Sequence, residues 1–193
     1  MGKILFGKRL NRSRAIKLAV SFLFVIFFVY SNLSAKLTTH TAEVAFLDGK
    51  RLIVPMIDDI TSAKESIDIT IYMFKADRKK PADTELLLAS LQDAAARGVR
   101  VRVLLDVEEN ESSFLTKANR ETGAKLAKYG AKVKYDDPKK RLHTKLMIID
   151  KQIVYAGSHN YTYSAFNYND EVTMRIDSKP LAIEASDYIE RFF

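Results

Sequence analysis

Residues 143–150 read HTKLMIID, residues 151–156 read KQIVYA and residues 157–160 read GSHN. Two runs rich in aliphatic and β-branched residues, 142–149 and 153–156, flank the short polar segment 150–152. Such runs predict buried strands, and so short a connection predicts that the two strands form a hairpin. We therefore take this hairpin as the centre of a β-sheet and look for its neighbours on either side.

Two side chains near the start of the first predicted strand have complementary chemistry. His143 and Lys145 are two positions apart, so on a strand they project from the same face. A histidine is a potential nucleophile or proton carrier, and a neighbouring cation stabilises the negative charge that builds on phosphate oxygens when phosphorus is attacked. Asp150 projects from the opposite face, and we predict that it supports the site structurally without taking part in the reaction.

Three further residues follow the second predicted strand. Gly157 allows close approach of the backbone to a ligand, while Ser158 and Asn160 offer neutral hydrogen bonds to phosphate oxygens. Taken singly, a histidine on a strand, a lysine or a GSxN turn is more often structural than functional. Their occurrence together at this spacing predicts a site that handles a phosphodiester.

Helical and strand patterns alternate along the rest of the chain. Strand-like runs are found at 44–47, 67–74, 99–105, 131–135 and 171–176, and helical patterns at 53–60, at 82–97, before Gly130 and at 181–193. This alternation predicts an α/β fold with a mixed, largely parallel sheet covered by helices on both faces. We expect one domain, residues 36–193. Two polar stretches, 75–84 and 106–117, follow predicted strand ends, where substrate-facing loops of such sheets belong.

The net charge of +7 belongs almost entirely to the N-terminus. Six of the 31 basic residues lie within residues 1–35, which contain no acidic residue, so the remainder has 25 basic and 24 acidic residues. The global charge therefore carries no information about the substrate. The chain contains no cysteine, which excludes disulfides and thiolate chemistry, and no set of ligands at metal-binding spacing is evident. We expect no cofactor and no catalytic metal.

The N-terminus resembles a targeting segment. A basic stretch precedes the thirteen apolar residues 18–30, and small and polar residues follow them. This length suits the ~7–15 residues of a signal-peptide core better than the ~20 needed to span a bilayer. Residues 1–35 are therefore predicted to be a cleaved signal peptide or an uncleaved anchor held in the membrane by residues 18–33. Either alternative places the protein in the periplasm, outside the cell or at a membrane.

The quoted stretch resembles the HxKxxxxD(x6)GSxN signature of the phospholipase D superfamily. All six defining positions are occupied, by His143, Lys145, Asp150, Gly157, Ser158 and Asn160. Glu171 is similar to the acidic residue that follows the motif in members with a single motif. The resemblance implies a phospholipase D-like fold over most of the chain after the targeting segment.

The resemblance also implies a two-step, metal-independent mechanism. His143 attacks phosphorus and forms a phosphohistidine, which water then hydrolyses. Lys145 and Asn160 would bind the nonbridging oxygens, with Ser158 nearby, and Glu171 would accept a hydrogen bond from the far nitrogen of His143. In this family a second histidine, from a second copy of the motif, protonates the leaving group and later activates the water.

This chain has no second HxK pattern, and its other two histidines, His40 and His159, are given no role. The resemblance therefore implies a homodimer in which two subunits share one active site about a two-fold axis.

Three functions are compatible with these observations. The first is an endonuclease acting on DNA or RNA, supported by local positive charge in residues 139–141 and 78–80. The second is a phospholipase D that releases a lipid head group, for which Phe114 and Leu115 could contact an acyl chain. The third is a non-catalytic phosphate-binding module, which an intact six-position signature disfavours. We place the endonuclease slightly ahead of the lipase.

Overall fold

The computed structural model describes Val20, residues 38–76 and residues 83–193. The chain divides into two compact units, Met1–Thr39 and His40–Phe193, and the fold described below is that of the second unit. Apart from Val20, the predicted targeting segment lies outside the described residues, and so do residues 77–82 of the first predicted loop. Among the described residues, no helix is long and apolar enough to cross a membrane.

Strands and helices alternate up to the fourth strand, after which strands predominate. In chain order the described elements are β1 (Glu43–Asp48), α1 (Ile53–Ser62), β2 (Ser66–Ile71), α2 (Asp83–Ala96), β3 (Arg100–Leu105), α3 (Phe114–Ala127), β4 (Lys132–Tyr135), β5 (Lys145–Ile149), β6 (Ile153–Gly157), α4 (Tyr163–Asn167), β7 (Val172–Asp177) and α5 (Lys179–Glu190). Each predicted strand and helix corresponds to one of these. The five-residue α4 was not predicted, because so short a segment shows no helical period.

The seven strands form one mixed sheet in the order β1-β7-β6-β5-β2-β3-β4. The α/β architecture and the mixed sheet were predicted and are confirmed, but fewer strand pairs are parallel than expected. Only the pairings of β2 with β3 and of β3 with β4 are parallel, while the other four are antiparallel. The reason is that a parallel neighbour needs a crossover of about a dozen residues or more, usually a helix. α2 and α3 provide such crossovers. The connections from β4 onwards are shorter than these two, although the one between β6 and β7 also contains a helix, α4.

β5 and β6 form the predicted hairpin, in which Ile149 pairs with Ile153. The turn places Asp150 and Lys151 at φ of 51° and 50°, a left-handed conformation that aspartate tolerates better than most residues. β5 starts later than predicted, at Lys145. His143 therefore lies just before the strand.

Helices cover both faces of the sheet, as predicted. On one face α1 to α4 enclose the larger core, to which the alternate residues Ile67, Ile69 and Ile71 of β2 contribute fully buried side chains. On the other face α5 packs alone, through Ala182 and Ile189, against β5 and β6. The sheet is thereby held rigidly from both sides, and its strand ends are free to present functional groups.

Candidate active site

One end of the sheet collects most of the predicted site residues. β2, β3 and β6 end there, and β5 and β7 begin there, as their pairing directions require. The site residues at this end are His143, Lys145, Gly157, Ser158, Asn160 and Glu171. Asp150 lies in the hairpin turn at the opposite end of β5.

His143 and Lys145 lie against the same aromatic ring. The ring centroids of His143 and Tyr72 are 4.9 Å apart in an edge-to-face arrangement, and the Lys145 ammonium lies 5.1 Å from the centroid of Tyr72. The ammonium also donates a hydrogen bond of 2.9 Å to the backbone carbonyl of His143. The imidazole itself is exposed and makes no hydrogen bond with any described residue. A potential nucleophile and a cation are thus fixed side by side, with the imidazole open to a substrate.

The electrostatic surroundings of Lys145 are unusual for a lysine. Burial lowers the pKa of its ammonium, and the negative charges of Glu171 and Asp106 partly oppose that shift. The side chain therefore lies close enough to both carboxylates to feel their charge. An anionic phosphate brought to the same place would favour the protonated form further.

Glu171 does not make the predicted hydrogen bond to His143. Its carboxylate accepts a hydrogen bond of 3.1 Å from the side-chain amide of Asn169, and its charge acts on Lys145 and on His159. Because the connection before β7 starts the strand only at Val172, Glu171 lies in a loop and its carboxylate is directed to other partners. The charge of Glu171 therefore acts on Lys145, and no hydrogen bond from a described residue selects the tautomer of His143.

Ser158 is held by the backbone of β7. Its hydroxyl accepts a hydrogen bond of 3.1 Å from the amide of Val172 and lies 3.4 Å from the carbonyl of the same residue. The amide of Ser158 donates to that carbonyl at 2.9 Å. The hydroxyl uses its donor and one of its two acceptor sites within the protein, so Ser158 orders the loop that carries Asn160.

Gly157 is needed because β7 approaches it closely, which differs from the predicted approach of a ligand. A Cβ atom at this position would lie 2.5 Å from the Cα of Thr173 and closer still to the carbonyl of Val172. Contacts this short do not occur between real atoms, so the strand pair would have to separate.

We therefore expect Gly157→Ala to lower the free energy of unfolding by about 2 kcal/mol and to displace Asn160. Urea denaturation followed by circular dichroism measures the loss. Gly98→Ala is the control: its Cβ would meet nothing, but its φ of +93° strains any side chain, so it should cost only about 1 kcal/mol. Equal losses in the two variants would show that the close approach of β7 is unimportant.

Asp150 binds the loop between α1 and β2. Its two carboxylate oxygens accept hydrogen bonds from the backbone amides of Lys64, Glu65 and Ser66 at 2.8 to 2.9 Å. The amide of Asp150 in turn donates to the carbonyl of Ser66 at 2.8 Å. These four bonds fix the hairpin turn to the start of β2, far along the strand from His143.

Asn160 lies in the wall of a cavity of about 440 Å³. The described residues that line it are Met73, Lys75, Thr84, Phe114, Asn160, Thr162, Tyr163, Ser164 and Asn169. The side-chain oxygen of Asn160 is buried and has no hydrogen-bond partner among the described residues. Met73 in this lining directly follows Tyr72, whose ring contacts His143 and Lys145.

Two residues of the site were not singled out in the sequence. Tyr72 lay within a predicted strand, and nothing in its spacing indicated contact with the histidine. Asn119 of α3 is fully buried. Its side-chain amide donates hydrogen bonds of 2.8 Å to the carbonyls of Tyr72 and Asp106, and its side-chain oxygen accepts one of 2.8 Å from the backbone amide of Phe74. Asn119 therefore joins the ends of β2 and β3, and a signal for it was available, because it is a polar residue on the apolar face of a helix.

The other two histidines, His40 and His159, are at least partly buried. His40 lies 2.7 Å from the Glu184 carboxylate and is partly buried. His159 is 1% exposed; its Nδ1 lies 2.9 Å from the hydroxyl of Thr173, and its ring stacks on Phe166. Burial lowers the pKa of His159, which favours the neutral ring. Among residues 38–76 and 83–193, no group of three or more possible ligands could hold a metal ion.

Comparison with known proteins identifies related sequences. The family model described as "Cardiolipin synthase, PLD-like domain" matches residues 56–193. A phospholipase D of Rickettsia bellii is 34% identical over 125 residues, which are 65% of this chain and 55% of that protein. Two uncharacterised proteins of Helicobacter pylori match 80% and 72% of the chain. The chain spans 30% to 55% of the length of these three relatives.

Two solved structures of similar length share the fold. Nuc from Salmonella typhimurium, a phospholipase D family member, superposes with a TM-score of 0.63 at 26% identity. The match covers 77% of this chain and 93% of Nuc. NucT from Helicobacter pylori gives a TM-score of 0.63 at 25% identity, covering 78% of this chain and 95% of NucT.

Proposed function

Because this chain belongs to the phospholipase D superfamily, we propose that it cleaves phosphodiester bonds of nucleic acids through a phosphohistidine formed on His143. The observation that carries this proposal is the placement of His143 and Lys145 against Tyr72. One is an accessible nucleophile and the other a cation at its side, and both stand at the end of a rigid sheet. Attack on phosphorus requires this pair, since charge develops on oxygens that the cation can stabilise.

In the first step a nitrogen of His143 bonds to phosphorus and the bond from phosphorus to the leaving oxygen breaks. The leaving oxygen takes a proton from a second histidine. Lys145 and the amide of Asn160 stabilise the nonbridging oxygens, while Ser158 holds the loop that positions Asn160. Glu171 acts on Lys145, whose protonated form its charge favours.

In the second step water attacks phosphorus and gives its proton to the second histidine, and the bond from phosphorus to His143 breaks. The second histidine is the partner subunit's His143. His159 is 1% exposed, with its Nδ1 next to the Thr173 hydroxyl, and His40 is paired with Glu184 of α5, so we propose neither for this task. We therefore propose a homodimer with one shared active site.

A mixing experiment tests the shared site. We expect co-refolded mixtures of wild-type and His143→Asn subunits to lose activity as the square of the wild-type fraction. A mixed dimer keeps only one of the two histidines and is inactive. Light scattering verifies that the mixtures are dimeric. Activity that is linear in the wild-type fraction, or an active monomer, contradicts the shared site.

The protonation of Lys145 predicts the alkaline side of the pH–rate profile. Because burial lowers the pKa of Lys145, its stabilising charge is lost as pH rises through a value below the ordinary 10.5. We expect kcat to fall over that range. Lys145→Arg should shift the fall to higher pH, since a guanidinium stays protonated above about pH 12. An unchanged alkaline limb in Lys145→Arg would show that another group controls it; circular dichroism at each pH controls for unfolding.

Local charge and polarity favour a nucleic acid as the substrate. Lys139, Lys140 and Arg141 are exposed, precede His143 closely in the sequence, and line a second, smaller cavity together with Asp106 and Glu108. Six of the nine described residues that line the cavity at Asn160 carry a hydroxyl or an amide. A polyanion that reaches both places would meet basic groups and hydrogen-bond partners.

A phospholipase D activity is the second candidate. Phe114 is 66% exposed and lines the cavity, where it could contact an acyl chain, whereas Leu115 is buried. The family description and the name of the Rickettsia bellii relative also refer to lipid chemistry. A non-catalytic binding module is disfavoured by the intact signature.

One assay separates these functions. The purified protein is incubated in excess chelator with single-stranded oligonucleotide, plasmid DNA, RNA and phosphatidylcholine vesicles. We expect cleavage of nucleic acid that the chelator does not inhibit. Release of choline with intact nucleic acids would favour the lipase, and no product from any substrate would favour the binding module. Inhibition by chelator would contradict the metal-independent mechanism.

We further propose that residues 1–35 direct the protein to the periplasm, the cell exterior or a membrane, as a cleaved signal peptide or as an anchor through residues 18–33. Fractionation of cells that express the full chain, with mass spectrometry of its N-terminus, distinguishes the two. Retention of the full chain in the cytoplasm would contradict both.

A further inference from the structure

The cavity at Asn160 is bounded by two segments that also carry residues of the site. Met73 follows Tyr72, whose ring supports His143 and Lys145, and Asn160 follows the Ser158 loop. Tyr161 pairs with the segment after β2: its amide donates to the carbonyl of Met73 at 2.9 Å. The cavity is therefore a built part of the site, bounded by two segments that are hydrogen-bonded to each other.

An exposed aromatic ring forms part of its wall. Phe114 is the first residue of α3, and its side chain is 66% exposed although the next residue, Leu115, is buried. The helix start is fixed, because the hydroxyl of Ser113 accepts the amide of Thr116 at 3.1 Å. The Lys75 ammonium lies over one face of the ring, 4.9 Å from its centroid. An exposed ring with a cation on one face can offer its other face to a planar group that is attached to an anion.

Most of the described lining residues are polar. Six of the nine carry a hydroxyl or an amide, and none of the nine carries a carboxylate. Only Met73 and Phe114 are apolar residues. Hydroxyls and amides match the hydrogen-bonding edges of a nucleobase and its sugar. The volume of about 440 Å³ is within the range of small-molecule sites.

We propose that this cavity binds the nucleoside next to the cleaved phosphate, with its base stacked on Phe114. The inference rests on the proposed function, because it assigns a substrate group to a pocket of that same site. Stacking accepts every base, so Phe114 gives affinity for single-stranded nucleic acid without strict sequence preference.

Substrates with and without a base test the proposal. One is a single-stranded oligonucleotide, and the other is the same strand with abasic residues in place of its nucleosides. In Phe114→Ala we expect KM for the intact strand to rise about tenfold and KM for the abasic strand to stay unchanged. Phe114→Trp should restore or lower KM for the intact strand. Tyr129→Ala is the matched control, because it removes an exposed ring just beyond the far end of the same helix.

The outcomes separate this inference from the proposed function. If wild type cleaves both strands but Phe114→Ala changes neither KM, or raises both equally, stacking on Phe114 is refuted while the nuclease stands. If wild type cleaves neither strand and hydrolyses only phosphatidylcholine vesicles, the proposed substrate and the nucleoside site are both refuted. Since Phe114 is exposed, circular dichroism of the variants should match wild type.

Discussion

His143→Asn should reduce kcat by at least roughly 10³-fold, because it removes both the nucleophile and, in the second subunit, the proton donor. Asparagine has no nitrogen that forms a hydrolysable bond to phosphorus. The variant should keep its fold, since the imidazole is exposed and hydrogen-bonds to no described residue. Turnover of an oligonucleotide under single-turnover conditions, with circular dichroism of the same sample, measures both expectations.

His40→Asn is the matched control for that loss. It makes the same chemical change at a histidine paired with Glu184, and we expect turnover close to wild type. If His143→Asn keeps full turnover, His143 is not the nucleophile. If the two variants lose activity equally, the loss reflects a general effect of the substitution and does not support His143 as the nucleophile.

Asp150→Ala should lower the free energy of unfolding by about 3 kcal/mol. The carboxylate accepts three backbone amides, from Lys64, Glu65 and Ser66, and hydrogen bonds to charged groups contribute more than neutral ones. Two of the three bonds are exposed, so water replaces part of what is lost, and the expected value allows for this. Urea denaturation measures the change.

Lys151→Ala separates the contribution of the carboxylate from that of the turn. Lys151 has nearly the same positive φ and is exposed, so its replacement should change the free energy of unfolding little. Asp150→Asn should lie between wild type and Asp150→Ala, because its oxygen still accepts hydrogen bonds without the charge. If Asp150→Ala is as stable as Lys151→Ala, these hydrogen bonds do not support the fold.

The sequence was sufficient to predict the strands and every helix except α4, but not their arrangement. Runs such as 67–74 and 99–105 are rich in apolar residues but contain Asp68, Arg100 and Arg102, and their composition does not show which way the neighbouring strands run. Pairing direction depends on partners distant in the chain: β5 inserts beside β2, which precedes it by about 80 residues. The connection lengths after β4 were the available clue that most of the sheet is antiparallel.

Site residues that belong to the sequence motif could be predicted. Site residues that reach the same place only through tertiary contacts could not. His143, Lys145 and Asn160 belong to one motif whose spacing is recognisable in the sequence. Tyr72 joins them only through folding, because it comes from the end of another strand, whereas Phe114 was already expected in a substrate-facing loop. The orientation of Glu171 was also beyond the sequence, since its choice between His143 and Asn169 depends on loop geometry.

The central claim is that phosphorus is transferred to His143, and trapping the intermediate tests it most directly. The wild-type protein is mixed with an oligonucleotide radiolabelled at its internal phosphates, quenched in alkali within the first turnover and digested. We predict label bound to the peptide that contains His143, stable in alkali and released by acid, and none in His143→Asn. Label on another residue, or the same acid-labile label in His143→Asn, would contradict the account.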